Sequence, residues 1–186
     1  MTATNLAQHP LAKSIRMLIL DVDGILTDGT IYYDQAGESI KPFNIKDGLG
    51  LKLLQNCGIK IAIISGNNSA ALKKRLEILG ITDYYLNQHN KISAFEALLA
   101  KHKLPTKAVA YVGDDLPDLP LIERAGLGIT VANSDPEIQK VADHLTAKPG
   151  GDGAVREICN ALMMAQGHMD DVLAQYRTSG GFSGVK

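Results

Sequence analysis

The stretch Leu18-Ile19-Leu20-Asp21-Val22-Asp23-Gly24-Ile25-Leu26-Thr27-Asp28-Gly29 limits what this chain can fold into more than any other. A largely aliphatic run starting at Ile15 stops at two carboxylates two residues apart, and a glycine follows at once. A strand apolar at successive positions is covered on both faces, as in the middle of a parallel sheet. Carboxylates at the edge of a core are costly unless a cation offsets them. In open α/β sheets the carboxyl ends of the strands face the ligand crevice. Asp21 and Asp23 are therefore expected to face a crevice that holds a divalent cation.

The rest of the chain repeats this pattern. Apolar runs at Ile59 to Ile64, Ala108 to Val112 and Gly128 to Val131 read as buried strands, with Tyr84-Tyr85-Leu86 as a short one. Between them lie helical patterns. One is capped by Asp47, has Leu49, Leu53, Leu54 and Cys57 facing inward, and closes at Gly58. Others run from Ser69 to Leu79, Ile92 to His102, Pro117 to Ala125, Pro136 to Ala142 and Ala154 to Ala165, the last with Leu162, Met163 and Met164 in the core. This alternation predicts an α/β fold, a Rossmann-like parallel sheet flanked by helices. Thr30 to Phe43 reads as a small β-hairpin inserted after the first strand, with Pro42 suited to an edge.

With 186 residues and 45% apolar content, the chain reads as a single domain spanning 1–186. A loose lead-in is expected over 1–13, a flexible turn at Gly150 to Gly153, and a flexible Gly-rich tail over 178–186. Net charge is −1 with no basic stripe, which points away from nucleic acid. No apolar run is long enough for a membrane span and no leader pattern opens the chain, so a cytoplasmic enzyme is expected. Cys57 and Cys159 read as buried free thiols.

Three predicted strands end in compact polar loops: Asp21/Asp23, Ser65-Gly66 and Gly113-Asp114-Asp115. In a parallel sheet these loops converge, and Lys91, opening a helix, can reach the same place. Taken singly, Ser65-Gly66 is a turn and Lys91 a helix-start lysine. In this order they suit phosphoryl transfer. Asp21, Asp114 and a backbone carbonyl at Asp23 would hold Mg²⁺, which prefers oxygen ligands. Lys91 and Ser65 would bind the phosphate oxygens. Asp21 would be the nucleophile and Asp23 the acid and base, the two catalytic residues.

The same residues resemble the four signatures of the haloacid dehalogenase (HAD) superfamily: Asp21/Asp23, Ser65, Lys91, and Gly113-Asp114-Asp115 with Asp118. Three further segments, Phe43 to Gly50, Gly113 to Asp118 and Gly150 to Glu157, look like one branch of it. That branch is the 3-deoxy-D-manno-octulosonate 8-phosphate (KDO 8-phosphate) phosphatases, and the likeness runs over about residues 15–166. It implies a capless HAD-like fold and hydrolysis of KDO 8-phosphate in lipopolysaccharide synthesis. It also implies metal positions at Asp21, Asp23 and Asp114, and a homotetramer in which a neighbouring chain covers each site. The implied substrate positions are Asp23, Asn44, Ile45, Lys46, Asp47, Gly48, Lys52, Ser65, Gly66, Asn67, Arg75 and Lys91. Asn67 departs from the family pattern, which commonly has Arg there, and Asn cannot supply that bidentate charge. Lys52 stands where some members have Arg. Two other readings remain at this point: a phosphatase for another acidic sugar phosphate, such as a nonulosonate 9-phosphate, and a phospho-acceptor switch or regulatory subunit. Asp23 argues against the switch, which needs no acid/base beside its acceptor.

Overall fold

Burial at successive positions, on both faces, decides how the central strands are used. The computed structural model describes residues 5–37, 39–181 and 184. Six parallel strands form the sheet: β1 (Met17–Leu20), β4 (Lys60–Ile64), β5 (Asp83–Tyr85), β6 (Val109–Val112), β7 (Leu127–Thr130) and β8 (His144–Leu145), in the order β5-β4-β1-β6-β7-β8. A separate antiparallel hairpin pairs β2 (Tyr32–Tyr33) with β3 (Ser39–Ile40). On one sheet face Leu18, Leu20, Ile61, Ile63 and Val112 pack under α1 (Ile45–Asn56), α2 (Ala70–Leu79) and α6 (Ala154–Ala165). On the other, Met17, Ile19, Ala62, Ile64 and Tyr111 pack under α3 (Lys91–His102), α4 (Leu119–Arg124) and α5 (Pro136–Val141). Successive residues pointing to opposite faces give each strand two buried sides. The α/β sheet flanked by helices is thus as the apolar runs require.

Several expectations change. Where it is described, from residue 5, the lead-in is not loose: two 3₁₀ turns, Leu6–Gln8 and Ala12–Ser14, bury Leu6 and Ala12 in the core, and Gln166 donates to the carbonyls of Ala12 and Ile15, while residues 1–4 lie outside the described residues. The short strand β8 and a last helix, α7 (Met169–Ser179), escaped the pattern. Val172 is the one residue α7 buries, so its sequence carried little apolar signal. Residues 178 and 179 end that helix, and much of the expected tail, 182–183 and 185–186, lies outside the described residues. Leu49 and Met164, expected inward, are exposed, whereas Leu51 is buried. Cys57 and Cys159 are buried and free.

The cap of α1 also differs. Asn44 fills it, its Oδ1 accepting from the Lys46 amide at 2.8 Å. Asp47, one turn in, is buried and reaches across to α6, where its carboxylate accepts from the amides of Arg156 at 2.7 Å and Gly153 at 3.3 Å. The amino end of α6 has no cap of its own, because Gly153 stands there. Asp47 therefore supplies from another helix what an N-cap normally supplies locally. Burial holds its carboxyl above the usual value, against the pull of those two amides. Gly50 allows this approach: a Cβ there would lie 2.9 Å from Cδ of Arg156. The glycine turn at 150–153 is likewise pinned, Gly150 donating to Asn133 Oδ1 at 2.8 Å and Gly151 to Ile25 O at 3.0 Å.

Asp47→Ala should lower stability by about 1 kcal/mol or somewhat more, the cost of an uncapped helix start. In thermal unfolding that is a fall of roughly 2–6 °C. An unchanged midpoint would show that water satisfies the amides of α6 without it.

Candidate active site

Sheet register brings three strand ends level. Leu20 of β1 pairs with Ile63 of β4 and with Val112 of β6. The loops that start at Asp21, Ser65 and Gly113 therefore leave the sheet side by side, and the Asp21 amide still donates to Val112 O at 2.9 Å. They surround a cavity of about 660 Å³ whose wall includes Asp21, Asp23, Ser65, Asn67, Lys91 and Asp114. Gly24 makes the close approach possible. Its φ is +84°, and a Cβ there would sit 1.9 Å from Oδ2 of Asp114.

At the floor, Asp21, Asp114 and Asp118 each place a carboxylate oxygen within 4.8 Å of the others. Lys91, first residue of α3, is buried among them. Its Nζ lies 2.9 Å from Asp21 Oδ1 and 2.7 Å from Asp118 Oδ1. Asp118 is fully engaged: Lys91 and the Tyr111 hydroxyl donate to Oδ1, and the amides of Asp114 and Asp115 to Oδ2, at 3.1 and 3.5 Å. Asp21 and Asp114 are left with one shared cation against three acids. Burial, then the charge of Asp118, pushes the Asp21 carboxyl up from 3.8 to about 7, against Lys91. Burial, then Asp21 and Asp118, pushes Asp114 up to about 7 as well. For Lys91 burial works downward, but Asp21 and Asp118 outweigh it and hold the ammonium above its ordinary value. The set is short of positive charge and offers hard oxygen ligands, which fits a magnesium ion.

Ser65 is buried at the end of β4, and its Oγ accepts from the Asn67 amide at 3.1 Å, leaving its O–H to donate into the cavity. The rim beyond it carries four side-chain amides, Asn67, Asn68, Asn87 and Gln88, with His89 beside them. Backbone bonds from Asn87 to Asn67 O (3.3 Å) and Gln88 to Ser65 O (3.0 Å) lock the two rim loops together. The run before Lys91 was visible in the sequence but carried no spacing that set it apart from a loop.

Of the expected site residues, Asp21, Asp23, Ser65, Gly66, Asn67, Lys91 and Asp114 meet at this cavity. Asn44, Ile45, Lys46, Asp47, Gly48, Lys52 and Arg75 do not line it. Asn44 caps α1, Asp47 caps α6, and Arg75 donates to Asn44 O at 3.0 Å with its guanidinium 5.6 Å over the Phe43 ring. Gly48 lies beneath that arginine, while Ile45 and Lys46 are exposed. Lys52 borders a separate cavity between α1 and α2. Lys41 was missed: its Nζ forms an ion pair with Asp23 Oδ1. A single lysine at a hairpin end, beside Pro42, gave no sequence signal.

Residues 81–158 match the model of the haloacid dehalogenase-like hydrolases. The chain is 46% identical over 164 residues to the 3-deoxy-D-manno-octulosonate 8-phosphate phosphatase KdsC of Escherichia coli K12, covering 88% of this chain and 87% of that one. It is similar to the crystal structure of a 3-deoxy-D-manno-octulosonate 8-phosphate phosphatase from Moraxella catarrhalis in complex with magnesium, phosphate and KDO. That match has a TM-score of 0.88 and 42% identity, over 92% of this chain and 97% of that one. A probable phosphatase from Pseudomonas syringae matches with a TM-score of 0.90 and 40% identity, over 94% and 98% of the two chains.

A carboxyl raised from 3.8 to about 7 binds its proton more tightly in the folded state. Its favourable contribution is present at low pH and lost as pH rises through that window. Metal-free protein should therefore lose stability between pH 4 and 7, and Asp114→Asn should remove part of that slope. Melting curves in a chelator should show the variant gaining on the parent by roughly 2–4 °C at pH 8. A constant difference across pH would show that Asp114 is not the strained charge.

Proposed function

The chain belongs to the 3-deoxy-D-manno-octulosonate 8-phosphate phosphatases of the haloacid dehalogenase-like hydrolases, and on that premise we propose that it hydrolyses KDO 8-phosphate to KDO and inorganic phosphate. The observation that carries this reading is the meeting of Asp21, Lys91 and Asp114 at level strand ends, in a chain so similar to named phosphatases of that substrate. Asp21 and Asp114, with the backbone carbonyl of Asp23, are the groups that would hold magnesium. When bound, the ion offsets the repulsion between a carboxylate nucleophile and a phosphate dianion.

The reaction then runs on the chain's own residues. Asp21 attacks phosphorus, and the bond to the sugar oxygen breaks as the aspartyl-phosphate forms. Asp23 gives a proton to the departing alkoxide, then takes one from the water that attacks the intermediate, and the phosphate leaves Asp21. Lys91 and the Ser65 hydroxyl hold the non-bridging oxygens as charge builds on them. Asn67 and the other amides of the rim would face the sugar end.

Ile45, Lys46 and Lys52, exposed and away from the cavity of their own chain, would act on substrate across a contact between chains, whereas Asp47 and Gly48 are buried within their own chain and brace it instead. The hairpin supports this assembly: Ile31, Tyr33 and Ile40 are 69%, 67% and 54% exposed. Two isolated strands are marginal in water and gain from partners. The assembly we propose is a homotetramer whose hairpins pack together. A role in lipopolysaccharide synthesis in the cytoplasm follows from the substrate. Among the described residues no helix is long and apolar enough to cross a membrane.

A phosphate-release screen with KDO 8-phosphate and other acidic sugar phosphates tests the assignment. Strong magnesium-dependent release is expected from the parent and a loss of at least about 10³-fold in Asp21→Asn, which lacks the nucleophile. Preference for another sugar acid would move the assignment within the family, to a site read by Asn67. Chelation should abolish turnover, and magnesium should restore it. Light scattering should give four chains per particle; a fully active monomer would rule the assembly out.

A further inference from the structure

Lys41 has no part in the chemistry just described, yet it is placed with unusual economy. It follows β3 at the base of the hairpin, its side chain is 8% exposed, and its Nζ is paired with Asp23 Oδ1. Lysine normally keeps its ammonium in water, and a buried ammonium without a counter-charge is costly. This one is drawn inward by a single carboxylate 18 residues away in the chain. Lys41 does not line the cavity, whereas Asp23 does.

Asp23, for its part, has a side chain 41% exposed. Among the described residues, no hydrogen bond other than that from Lys41 reaches its carboxylate. The neighbouring acid Asp28 is engaged elsewhere, accepting from the Thr30 amide and the Tyr32 hydroxyl. A half-exposed aspartate on a loop samples several rotamers unless something holds it. Proton transfer needs the carboxyl oxygen within hydrogen-bond reach of the leaving oxygen.

We infer that Lys41 is a positioning residue for Asp23: it fixes the proton-transferring carboxylate at the cavity rim and couples it to the hairpin. The inference rests on the hydrolytic reading given above. It also links assembly to chemistry. Whatever covers Ile31, Tyr33 and Ile40 fixes the hairpin, and through Lys41 it fixes Asp23.

A double-mutant cycle tests this. Lys41→Met and Lys41→Arg are assayed on KDO 8-phosphate, in the parent and in Asp23→Asn, the slow variants by single turnover with enzyme in excess. For Lys41→Met, kcat should fall about tenfold with KM within about twofold, a fraction of the effect of losing an acid/base outright. Lys41→Arg, which keeps the charge, should recover most of the rate. On Asp23→Asn, Lys41→Met should cost nothing further. Parental kcat in Lys41→Met, a change confined to KM, or an equal loss with and without Asp23 would each overturn the inference. Should Lys41→Met not fold, Lys41→Gln read through the same cycle decides. A parent that releases no phosphate from KDO 8-phosphate overturns the proposed function instead, whereas an active parent with an additive cycle overturns only the role of Lys41.

Discussion

The lysine at the head of α3 sets the terms for everything around it. Lys91, its side chain only 4% exposed, lies between Asp21 and Asp118. Without it, three carboxylates within a few ångströms would have to be protonated, or the strand ends would have to part. With it, the cluster remains net negative, so that both Asp21 and Asp114 are driven up to about 7. That residual imbalance is a cost to the fold and suits a site meant to take up a divalent cation. Folded domains tolerate such strain where the surroundings leave the groups no other arrangement.

The surroundings here are a sheet and its anchors. Parallel pairing of β1 with β4 and β6 fixes the height of each loop. Asp118 is held by four donors, among them a buried tyrosine hydroxyl and two backbone amides, and so cannot swing away from the cluster. Two helices away, Asp47 closes the start of α6, and the glycine turn ahead of that helix braces the loop that carries Asp23 and Gly24. The residues that make the site rigid are thus themselves polar and buried, and each is satisfied by a named partner.

The rim and the hairpin answer to different rules. Side-chain amides and His89 ring the mouth. The loops that bear them are tied by backbone bonds, so their geometry does not depend on the side chains. The hairpin, by contrast, is exposed on its apolar positions and touches the site through Lys41. A region held by so few buried contacts is set by what it packs against.

The α/β sheet, the strand-end acids and the lysine that joins them were legible in the sequence. Apolar runs that end in charge carry a cost local enough to read one residue at a time. The cap of α6 by Asp47 and the pairing of Lys41 with Asp23 were not. They join residues 106, 109 and 18 positions apart, and nothing in the local pattern names the partner. β8 and α7 were missed for a related reason: one is two residues long, and the other buries only Val172. By itself the sequence determined which residues are too costly to bury without a purpose. Only the tertiary structure decided which of them share a cavity, because a polar side chain takes its partner from packing geometry, and that is set by the whole chain at once.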